Sequence, residues 1–121
     1  MYPTSVPSVV RTAMYLRCYP FDRWEMANHQ SALRGHAEFL ALPRPVLHLD
    51  NGIRSCEVRP SLEHLLNRAA DGAVHIVLVP GLFVFSLFDD QARAVARRLR
   101  RMGCAVVELP SPYRAHVQAM R

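Results

Sequence analysis

The sequence predicts an α/β fold, and three observations carry that expectation. Residues 74–79 form a short, nearly unbroken apolar run rich in β-branched residues, as suits a strand covered on both faces. From Asp89 the pattern becomes helical, with Ala92, Val95, Ala96, Leu99 and Met102 on one side. A second apolar run, 104–109, follows and is stopped by Pro110. Strand, helix and strand within about 36 residues make a right-handed crossover, so the two strands are expected to run parallel.

The remaining elements are read in chain order. Residues 1–21 are expected to be an irregular arm, because Pro3, Pro7 and Pro20 each remove a backbone donor and fix φ. Asp22 and Glu25 have the spacing of a capping box. The helix they open aligns Met26, His29 or Gln30, Leu33, Ala37 and Leu40, with Gly35 expected to bend or break it before Pro43 and Pro45 end it. Residues 46–58 alternate apolar with polar around Asn51-Gly52, the pattern of a β-hairpin. A short helix follows at Pro60, with Ser61 as its N-cap, Leu62, Leu65, Leu66 and Ala69 as its buried stripe, and Gly72 closing it. The expected division is an N-terminal arm and helix over 1–45 and an α/β core over 46–121.

Composition narrows the classes. Of 121 residues, 50% are hydrophobic and 21% charged, the balance of a globular domain. No apolar run approaches the ~20 residues of a membrane span, and the Pro- and Arg-broken N-terminus lacks a signal-peptide pattern. Cys18, Cys56 and Cys104 are scattered and odd in number, which suggests free thiols in a reducing, cytoplasmic setting. The net charge of +5 comes entirely from arginine, and the one cluster, Arg93, Arg97, Arg98, Arg100 and Arg101, reads as the solvated face of the crossover helix. No nucleic-acid partner is expected on that reading.

The block from His75 to Pro112, HIVLVPGLFVFSLFDDQARAVARRLRRMGCAVVELPSP, resembles the first strand–loop–helix–strand of the lipase- and esterase-like α/β-hydrolases. The 46–58 hairpin matches the antiparallel strands that precede it there. The resemblance implies a partial hydrolase-like sheet and places the Leu82 N–H, just after Gly81, as an oxyanion-hole donor. Pro80 stands where that family usually has histidine. No Gly-x-Ser-x-Gly elbow occurs among the five glycines. The chain is therefore expected to be the N-terminal portion, or a degenerate form, of an enzyme whose full form hydrolyses an ester or related acyl bond, and to be silent on simple esters by itself.

Within the chain, Ser111 and His116 follow the last strand and are the weak polar candidates for a site; no complete catalytic set is seen. His29 and His36 lie two helical turns apart without a third ligand, so no metal is expected. Cys104 reads as a core thiol, and His75 as a hydrogen-bonded structural histidine. No cofactor motif is present. Two readings stand beside the hydrolase one: a partner-binding α/β module and a nucleotide-sugar-binding, glycosyltransferase-like domain. An exposed sheet edge and the Phe-rich loop 82–88 lead to the expectation of a homo-oligomer or a covering partner chain.

Overall fold

A computed structural model describes residues 10–17, 22–50 and 58–110. Four parallel strands, β1 (Thr12–Leu16), β2 (Val46–Leu49), β3 (Ile76–Val79) and β4 (Ala105–Glu108), form one sheet in the order β2-β1-β3-β4. Three helices connect them: α1 (Arg23–Phe39), α2 (Pro60–Ala70) and α3 (Asp89–Arg101). The α/β class and the parallel pairing of β3 with β4 are as the sequence predicts.

The two central strands, β1 and β3, are covered on both faces. On one side α2 and α3 bury Ala13, Tyr15, Val77 and Val79 under Leu62, Leu65, Leu66, Ala92, Ala96 and Leu99. On the other, α1 covers Met14, Leu16 and Leu78 with Met26, Leu33 and Ala37. Complete burial of such a side chain contributes about 1.5–3 kcal/mol, so this two-sided cover is the main source of stability.

The central strand is the largest difference from the sequence reading. Residues 12–16, read within an irregular arm, are buried along their whole length as β1, hydrogen-bonded to β2 on one edge and β3 on the other. Of the expected 46–58 hairpin, only the first strand lies within the described residues. Val46–Leu49 pairs parallel with β1, register Ala13↔Val46 to Leu16↔Leu49, while residues 51–57, the rest of the turn and its return, lie outside the described residues. A sheet led by a central parallel strand, with no antiparallel entry among the described residues, does not match the hydrolase block.

Helix ends follow local chemistry. Asp22 caps α1 by accepting from the Glu25 amide at 3.0 Å. The helix runs through Gly35 without a break. Gly72 (φ 75°) and Gly103 (φ 89°) take the left-handed conformation just after α2 and α3, where glycine avoids the Cβ penalty. α2 begins at Pro60 after Arg59, so Ser61 lies inside the first turn rather than at the N-cap. No described helix is long and apolar enough to cross a membrane.

Candidate site at the carboxyl edge of the sheet

In an open parallel sheet, ligands sit outside the carboxyl ends of strands where the connections diverge. Here the chain leaves β1 for β2 on one side, and β3 lies on the other, so the divergence falls between β1 and β3. The residues leaving those strands are Arg17 and the Pro80–Phe85 turn.

Two arginines converge on that turn. Arg17 is 6% exposed, and its Nε donates to the Val84 carbonyl at 3.3 Å. Arg59, half-buried ahead of α2, donates from Nη1 to the Val84 carbonyl at 3.4 Å and to the Phe85 carbonyl. Neither Nε nor Nη2 of Arg59 has a hydrogen-bond partner among the described residues. A guanidinium carries five N–H donors, so Arg59 keeps both charge and donors available at this edge.

Beside them lies a buried carboxylate. Asp50, just past β2, accepts from the Tyr15 hydroxyl (2.7 Å), the Ser61 amide (2.9 Å) and the Leu62 amide (2.8 Å). It thus satisfies first-turn amides of α2 from outside the helix, a capping role delivered through space. The Ser61 hydroxyl donates to the Leu49 carbonyl at 2.6 Å. Burial first, then the hydrogen bond to Asp50 and its negative charge, pushes the Tyr15 hydroxyl well above the usual tyrosine range. Tyr15 is a permanent donor here, its ring stacked on Phe85 at 5.8 Å.

The sequence-derived candidates fall as follows. Gly81 is extended and opens a 3₁₀ turn, Leu82–Val84, closed by the Phe85 amide on the Leu82 carbonyl at 2.9 Å. Ser111 and His116 lie outside the described residues. Ser86 is buried; its hydroxyl donates to Gln91 Oε1 at 3.1 Å and accepts from the Phe88 amide at 3.1 Å, a local brace for the start of α3. Cys104 is a buried thiol whose Sγ donates to the Val74 carbonyl at 3.1 Å, and burial pushes its pKa up. His75 Nδ1 accepts from the Arg11 amide at 2.9 Å. No cluster of three metal-ligating side chains occurs among the described residues. Arg17, Asp50 and Arg59 were not singled out in the sequence. Their only signals were a charge directly after each of two apolar strands and another before a helix-opening proline.

The strand order β2-β1-β3-β4 with helices on both faces defines an α/β domain of the doubly wound type. Among solved structures, its neighbours are catalytic domains of serine recombinases. The N-terminal catalytic domain of TP901-1 integrase matches with a TM-score of 0.73 at 16% identity, over 91% of this chain and 90% of that one. The C-terminal catalytic domain of ISC1926 TnpA, an IS607-like serine recombinase, gives 0.73 at 15%, over 92% of this chain and 76% of that one. A resolvase-family site-specific recombinase from Streptococcus pneumoniae gives 0.71 at 14%, over 92% and 85%. At these identities the likeness is one of fold. No family model matches the sequence, and no curated protein does.

These neighbours overturn the α/β-hydrolase resemblance. With it go the ester-hydrolysing function, the acyl substrate and the part given to Leu82 in an oxyanion hole. The expectation of no nucleic-acid partner no longer stands either, because the solved neighbours are recombinases.

Proposed function

We propose that this chain acts in DNA recombination, engaging the DNA backbone at the carboxyl edge of its sheet. The observation that carries the reading is the convergence of Arg17 and Arg59 on the 84–85 carbonyls, at the divergence point of a recombinase-like fold. Arg17, buried, holds the turn in place. Arg59, with unspent N–H donors, makes the charge-assisted contact to a phosphate oxygen. The net charge of +5 favours approach to DNA.

The chemistry assigned to this edge is phosphate holding by arginine. A serine nucleophile needs an accessible hydroxyl beside a base. Among the described serines, Ser61 and Ser86 spend their hydroxyls on the fold, and Ser31 lies on the exposed side of α1.

Fluorescence anisotropy of a labelled duplex, measured across a salt series, tests this reading. The expected result is salt-dependent binding that Arg59→Gln weakens, with the slope of log affinity against log salt reduced by about one. Binding absent at low salt, or unchanged by Arg59→Gln, overturns the proposal.

A further inference from the structure

The opposite end of the sheet carries a second cationic site. Between the amino ends of β1 and β2 and the last turn of α2 lies a cavity of about 270 Å³. Arg11 lines it from just before β1, Arg44 from just before β2, and Arg68 from α2; Val46, Val74 and His48 add to its wall. Three connections of the fold therefore bring three arginines to the lining of one concavity.

No carboxylate lines this cavity, and none of the three arginines forms an ion pair among the described residues. Arg68 has a local reason for its place, since a cation in the last turn suits the helix dipole. Arg11 and Arg44 have no such reason. An anion in the concavity would be attracted by all three charges. His48 is 7% exposed, and its Nε2 is buried without a hydrogen-bond partner. The volume lies just under the ~300 Å³ at which drug-sized ligand pockets begin, so the occupant is small. Guanidinium forks match phosphate oxygens, and the valine walls suit an apolar body.

The geometry points to a binding site for a small phosphate monoester, held by Arg11, Arg44 and Arg68 with its organic part against Val46 and Val74. A DNA backbone shares the phosphate chemistry but presents its phosphates along an extended rail, whereas this concavity has room for one small group. The site lies away from the Arg59 edge and does not depend on the DNA reading.

The test is amide chemical-shift mapping of the full chain titrated with phenyl phosphate, with inorganic phosphate and a short duplex as separate arms. Expected are saturable shifts centred on Arg11, Arg44, His48 and Arg68, weaker binding of inorganic phosphate, and duplex-induced shifts elsewhere. Arg44→Gln with Arg68→Gln should weaken phenyl phosphate binding about tenfold, while Arg93→Gln on α3 leaves it unchanged. His48 supplies an independent readout. Burial, then His64 and Arg68, hold its pKa below the usual value against the opposing pull of Asp50, and a bound dianion should move its titration upward. No saturable shift at the cavity with millimolar phenyl phosphate overturns the assignment. A duplex that shifts these same residues while phenyl phosphate does not also overturns it.

Discussion

Asp50 joins three pieces of chain through one carboxylate: β1 by way of Tyr15, its own strand β2, and the first turn of α2. Its removal leaves a buried hydroxyl and two helix-end amides short of an acceptor. Asp50→Ala should therefore lower the unfolding free energy by about 3 kcal/mol, read from urea denaturation, with Tyr15→Phe costing less because the two amides keep their partner. His48 gives the molecule a pH dependence of definite sign. The fold holds it neutral by burial and by the nearby His64 and Arg68, whereas the unfolded chain takes up a proton near the ordinary value of 6.5. The contribution of this histidine is thus full above pH 6.5 and declines as the pH falls below it. Urea midpoints measured on both sides of that pH should fall on acidification, and His48→Gln should flatten the decline.

At the scale of elements, α1 offers the simplest test. Gly35 is exposed within an unbroken helix, and a Cβ built there meets nothing within 4 Å. Gly35→Ala should raise stability by about 1 kcal/mol, seen as a higher thermal midpoint, because the helix keeps its geometry and the unfolded chain loses freedom. This helix was legible from its Asp22 cap and its 3.6-residue stripe, as α3 was from Ala92, Val95, Ala96 and Leu99. β3 and β4 were legible as continuous apolar runs, and the left-handed glycines as helix stops. β1 was not legible, because five residues between Arg11 and Arg17 in a proline-dotted stretch give too short a run to outweigh their surroundings. β2 was legible as a strand, but its pairing with β1 was not, because a parallel partner lying far back in the chain leaves no local trace. The site suffered most. Arg17 meets the Val84 carbonyl across 67 positions, and Asp50 meets Tyr15 across 35, so no spacing rule brings them together. The hydrolase-like loop points to Gly81 and Leu82, whereas the arginines reach the turn at the carbonyls of Val84 and Phe85.

For the whole molecule, the sheet order matters more than the number of strands. β2 and β3 do not touch; each is hydrogen-bonded to β1. A fragment covering 46–121 should therefore fail to fold, with circular dichroism showing loss of strand signal and no cooperative melt, whereas adding a peptide of residues 1–45 in trans should restore structure. The same topology sets a schedule for synthesis. β1 is made first, yet its second neighbour is complete only at Val79. At about 5–20 residues per second the ribosome takes roughly 3–13 s to cover that distance. Through that interval the strand that the finished sheet buries along its whole length is a nascent segment with one edge unclaimed. Its solubility then rests on early docking of α1, which makes Leu33 and Met26 guardians of the growing chain before they are parts of a finished core.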